Sequence, residues 1–123
     1  MKQLIWASLC AAWLSHAHAA DDAPGAAALK YLDNLKICTP YTYSYPHPFI
    51  KGFRGQNIIK GKMGANCLVT FIMPGDKKLE CQFSAETVTL LTNDAAYEQV
   101  RQQKMVGSTS DPVNIRMAQE CKL

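Results

Sequence analysis

The sequence predicts a small disulfide-bonded α+β domain: an N-terminal helix, an antiparallel three- to four-stranded meander, and C-terminal helices packed on one face of it. Three observations carry that expectation. Cys67, Val69, Phe71 and Met73 alternate with Leu68, Thr70 and Ile72, and Leu79, Cys81 and Phe83 alternate with Glu80 and Gln82, which is the period-two pattern of a half-buried ribbon. Ala28, Tyr31, Leu32 and Leu35 fall at i, i+3, i+4 and i+7, the stripe of an amphipathic helix. Cys38, Cys67, Cys81 and Cys121 remain after an N-terminal leader, and an even number of cysteines in an exported chain favours two bridges.

The leader is read from three consecutive parts. Lys2 supplies the charge, Leu4 to Leu14 the apolar run, and Ala17-His18-Ala19 a small-residue cleavage pattern, so residues 1–19 are expected to be removed after Ala19 and residues 20–123 to form one exported domain. The apolar run is too short for a membrane span of ~20 residues. Lipidation at Cys10 is the competing reading, but Leu9 stands where a small residue is needed. Cleavage removes Trp6, Trp13, His16 and His18 along with Cys10, leaving twelve basic and ten acidic residues. The expected location is the periplasm or the exterior, with no transmembrane segment in the mature chain. A net charge of +2 calls for no polyanion, and no nucleic-acid-binding motif is present. There is no Cys-x-x-Cys to support a redox role, and four widely spaced cysteines in an oxidising compartment make poor metal ligands. No cofactor or metal is expected.

Taken in order, the first helix should stop at Thr39-Pro40, because the residue before proline is pushed out of the helical region, and this leaves Cys38 at the helix end. Tyr41-Thr42-Tyr43-Ser44-Tyr45 alternates as a short strand. Pro46-His47-Pro48 should end it and open a loop through Phe49, Gly52, Phe53 and Gly55. Strand character resumes from Gln56 to Lys62, with Met63-Gly64-Ala65 and Pro74-Gly75-Asp76 as the next two turns. Ser84 is a candidate cap for a helix carrying Ala85, Val88 and Leu91, and Asn93 or Asp94 for one running from Ala95 to Met105 with Tyr97 and Val100 inward. Asp111-Pro112 should start a last helix with Val113, Met117 and Cys121 at i, i+4 and i+8, although Val113, Ile115 and Met117 also fit a strand.

Cys67 and Cys81 share the core-facing side of the hairpin. The preferred frame therefore joins each to an outer element, one ending in Cys38 and one in Cys121, while all three possible pairings stay open.

For function, the informative stretch lies between Asp33 and Asp76, which holds no acidic residue but has Lys36, Lys51, Arg54, Lys60 and Lys62. A surface of Tyr41, Tyr43, Tyr45, His47, Lys51, Phe53, Arg54, Lys60 and Lys62 would combine aromatic faces with cations and suit a protein partner or an anionic envelope component. The plain alternative makes the tyrosines a core face and the lysines a solvated edge. The expected function is a non-enzymatic binding or interaction protein, such as an inhibitor or accessory subunit. Its rival is a small hydrolase using His47, the only histidine after residue 19, for which no Gly-x-Ser-x-Gly or paired carboxylates can be singled out. Methionines 63, 73, 105 and 117 share no ligand spacing with His47 and read as core filler.

Overall fold

The structure is a computed structural model that describes residues 24–47, 49–102 and 111–123. The expected leader and the stretch from residue 103 to 110, including the expected helix end at Met105, lie outside the described residues.

The elements run α1 (Pro24–Lys36), β1 (Tyr41–Pro46), β2 (Arg54–Met63), β3 (Asn66–Met73), β4 (Lys77–Phe83), α2 (Ala85–Leu91), α3 (Asp94–Arg101), α4 (Asp111–Glu120) and β5 (Cys121–Lys122). The sheet is antiparallel throughout, in the order β1-β2-β3-β4-β5. The helices cover the face carrying Ile59, Cys67, Val69, Cys81 and Phe83, where α1 buries Ala28, Tyr31, Leu32 and Leu35, α3 buries Ala96 and Val100, and α4 buries Val113. The α1 stripe is thus the expected one. The last segment resolves as a helix, and only Cys121 and Lys122 are extended.

The bridges are Cys38–Cys67 and Cys81–Cys121, so each hairpin half-cystine does hold one outer element. They close 29 and 40 residues of chain, which in the chain-entropy model stabilises the fold by roughly 3.5–4 kcal/mol each. The first bridge starts from an unusual backbone. Cys38 has φ 54°, and its N–H bonds the carbonyl of Leu35 at 3.0 Å while that of Thr39 bonds Asn34 at 2.9 Å. That pair of bonds is a Schellman ending, in which the left-handed position is normally glycine. The second bridge creates β5. Cys121 stands directly opposite Cys81, which brings two residues of an otherwise helical tail into the ladder.

Two helix starts follow the expected chemistry. The Ser84 hydroxyl accepts the N–H of Thr87 at 3.2 Å and the Asn93 side chain accepts that of Ala96 at 2.9 Å. The α2 start has a second cap from across the fold: Glu120 accepts the Ser84 N–H at 3.1 Å, the Ser84 hydroxyl at 3.2 Å and the fully buried Thr87 hydroxyl at 3.0 Å. In a capping box this carboxylate sits three residues along the same helix. Here α4 supplies it, and Arg116 pairs with Glu86 one turn away.

On the other flank, the Tyr97 hydroxyl donates to Asp33 at 2.7 Å and ties α3 to α1, while the Lys36 ammonium lies 5.1 Å from the ring centre. Burial and then the Asp33 carboxylate push the Tyr97 phenol up to about 12, with Arg101 opposing. Tyr31 is also raised, chiefly by burial, with the Asn57 amide working against it.

Two outcomes are expected. Glu120→Ala should cost about 2 kcal/mol in thermal unfolding under oxidising conditions, since it strips three donors of a charged acceptor, and Glu120→Gln should cost less. A phenol raised in the folded state is ionised first in the unfolded chain, so the Tyr97 contribution to stability should be whole below pH 10.0 and be lost as pH climbs towards about 12. Unfolding midpoints from pH 8 to about 12 check this, and Tyr97→Phe should lessen the decline.

Candidate functional site

The expected binding stretch divides into three places. Tyr41, Tyr43 and Tyr45 lie on the helix-facing side of β1, each half-buried. Tyr31 of α1 stacks on Tyr43 with centroids 5.6 Å apart, and Tyr43 on Tyr45 at 5.2 Å, so a ladder of rings runs from the core to the end of the sheet. Burial raises the phenols of Tyr43 and Tyr45. These tyrosines serve the core and its margin together.

The ladder ends over a glycine. Tyr45 pairs with Gly55, and a Cβ on Gly55 would lie 2.5 Å from the Tyr45 ring. This close approach is why β2 begins at Arg54, two residues before the sequence pattern resumes: the cross-strand ring covers the glycine that otherwise reads as loop.

The second place is the β1–β2 loop. The His47 N–H bonds the Phe53 carbonyl at 2.9 Å, and the Phe53 N–H that of Ile50 at 3.3 Å, closing a turn with Gly52 at φ +82°. His47 Nδ1 accepts the N–H groups of both Phe49 and Ile50 at 3.1 Å. The ring proton of the neutral imidazole therefore sits on Nε2. Phe53 and Phe49 set their rings edgewise to His47, at 5.8 and 6.1 Å. Histidine here is a pin that fixes the loop backbone. Past that pin, Phe49 is 87% exposed and Ile50 42%, with Lys51 and Arg54 also exposed. The Arg54 Nε donates to Ser44 at 3.1 Å.

Lys60 and Lys62 occupy the third place. At ~3.3 Å per residue, Lys62 is roughly 26 Å along β2 from Arg54. The register also slips between Ile59 and Gly61, with Lys60 as the extra residue and Gly61 at φ +124°. Lys62 consequently pairs with Cys67 and faces the helix side, where it joins Lys36, Ile37 and the Cys38–Cys67 bridge around a shallow groove of about 260 Å³. The structure does not bring the four cations of β2 and its loop onto one surface.

It brings others in. Met73 pairs with Lys77 and Gln56 with Ile72, so the β3–β4 turn lies at the same end of the sheet as the β1–β2 loop, about 10 Å away by strand spacing. Lys77 and Lys78 thereby join Lys51 and Arg54, with Asp76 the one acid among them. Sequence reasoning missed Phe49, Ile50, Lys77 and Lys78. An apolar pair in a proline-glycine loop looks the same whether buried or bare, and the two lysines belong to the next hairpin.

Among the described residues, no three His, Cys, Asp or Glu side chains could share a metal ion, and no helix is long and apolar enough to cross a membrane. No protein-family model, curated protein or solved structure matches the chain.

Gly55→Ala should displace the Tyr45 ring and destabilise the domain by about 1–3 kcal/mol. In a Tyr45→Ala background the same change should be nearly neutral, a coupling that a double-mutant cycle of unfolding free energies reads directly.

Proposed function

We propose that the protein is a small periplasmic or secreted binding module that holds a partner in the cell envelope through its β1–β2 loop, without catalysing a reaction. The observation that carries this reading is the bare Phe49-Ile50 tip on a loop whose backbone is already fixed by His47 and Phe53. Single exposed apolar residues are ordinary on protein surfaces. A large exposed ring on a pinned loop is different, because its conformational entropy is spent before binding and only the gain from burial remains. Lys51 and Arg54 beside the tip favour an anionic partner or an acidic rim on a protein. Two disulfides accord with an oxidising compartment, which is where the leader sequence directs the chain.

The role of His47 supports binding over hydrolysis. Its Nδ1 accepts two backbone donors, so it has no Nδ1–H for a carboxylate to orient, and the ring proton on Nε2 takes the lone pair that a general base uses.

Capture from envelope extract on immobilised, oxidised protein tests the reading. The triple variant Phe49→Ser, Lys51→Gln, Arg54→Gln should lose the retained component and its salt dependence while its thermal midpoint barely moves, because exposed side chains contribute little to stability. Lys60→Gln with Lys62→Gln, at the far end of β2, should retain it. Retention of the same component by the triple variant, with unchanged affinity and salt response, would discard the loop as the binding surface.

A further inference from the structure

Resting on the reading that the β1–β2 loop is the binding surface, we propose that its partner is the surface of an anionic lipid bilayer, into which Phe49 and Ile50 insert while Lys51, Arg54, Lys77 and Lys78 meet the headgroups. The exposure of the apolar pair and the cations around it favour this partner over a protein. A protein hot spot buries its anchor inside a packed patch ringed by polar contacts. Here Phe49 and Ile50 stand exposed in the loop at the end of the strands. A fluid acyl boundary accepts such a pair without any matching cavity.

Charge is arranged to suit. Lys51 in the loop and Arg54, Lys77 and Lys78 at the starts of β2 and β4 put four cations at this end of the sheet, in two places roughly 10 Å apart, against one acid, Asp76. Apolar insertion to a depth of ~5–10 Å with basic residues at headgroup level is the pattern by which proteins lie on anionic membranes without crossing them. The pin contributes as well. With His47 Nδ1 holding the N–H groups of Phe49 and Ile50, backbone donors that would otherwise enter the interface unpaired already have an acceptor. Arg54 is steadied by Ser44, and the Tyr45 ring over Gly55 stiffens the strand ends just behind the loop.

Residues 20–123 contain no tryptophan, so Phe49→Trp in protein processed after Ala19 places a single reporter at the tip. That protein is mixed with vesicles of phosphatidylglycerol and phosphatidylcholine in equal parts, or of phosphatidylcholine alone, and followed by flotation and tryptophan emission. Binding to the anionic vesicles is expected, with a blue-shifted emission shielded from acrylamide, and little binding to the neutral ones. Phe49→Ser with Ile50→Ser should weaken partitioning by about tenfold or more. Lys51→Gln with Arg54→Gln should weaken it by roughly tenfold or more and flatten its salt dependence. Equal binding to both vesicle types, no binding to either, or unchanged emission at position 49 would overturn the proposal. If vesicles fail while the loop still captures an envelope protein, the lipid assignment falls and the loop remains the binding surface; if loop variants alter neither, both readings fall.

Discussion

Two covalent bonds leave one face of a single hairpin and hold the first and last of the helices that lie over it. Cys67 and Cys81 occupy neighbouring strands on the same side, and opposite Cys67 sits Phe83, fully buried and edge-on to Phe71 at 6.3 Å. One bond fixes the end of α1 and the other the end of α4. A domain of about a hundred residues has one modest core, and here its outer layer cannot lift away from that core without bending a crosslinked hairpin.

The position of the loop descends from the first of those bonds. Cys38 takes the left-handed turn that ends α1, Thr39-Pro40 follows, and the chain enters β1 at the next residue, Tyr41. Because the helix end is covalently set on β3, Tyr31 meets Tyr43 at stacking distance, Tyr43 meets Tyr45, and Tyr45 closes over Gly55. The loop is then one residue beyond a supported strand pair, at Pro46 and Arg54. On the proposed reading, a flexible tip of the same composition would lose much of its binding energy to ordering.

Legibility followed how local each cause was. The α1 stripe, the alternation of the central hairpin and the caps at Ser84 and Asn93 each depend on residues a few positions apart, and all three could be read from the sequence. The arrangement of helices over the sheet followed from them. The pairing of four cysteines left three possibilities, which an argument about faces narrowed and contact settled. What stayed hidden depended on partners far along the chain. Glu120 caps a helix whose N-cap, Ser84, lies thirty-six residues earlier, and β5 pairs with β4 where Cys121 is bonded to Cys81. Within the candidate site, His47 and the flanking cations stood out by composition, but the bareness of Phe49 did not. The extra residue at Lys60, which turns Lys62 to the helix side, has no more local signal than an unremarkable Lys-Gly pair.

The bridges are also consecutive: the first two of the four cysteines pair with each other, and so do the last two. A chain appears from its N-terminus, and its early segments begin to fold while later ones are still being made. Of the four bridging cysteines, Cys38 and Cys67 emerge first, so they can bond before Cys81 and Cys121 have been made. Cys81 and Cys121 then find each other by default. Of the three possible pairings, this is the one that chain order alone selects, and a protein wired this way can oxidise in sequence without relying on reshuffling.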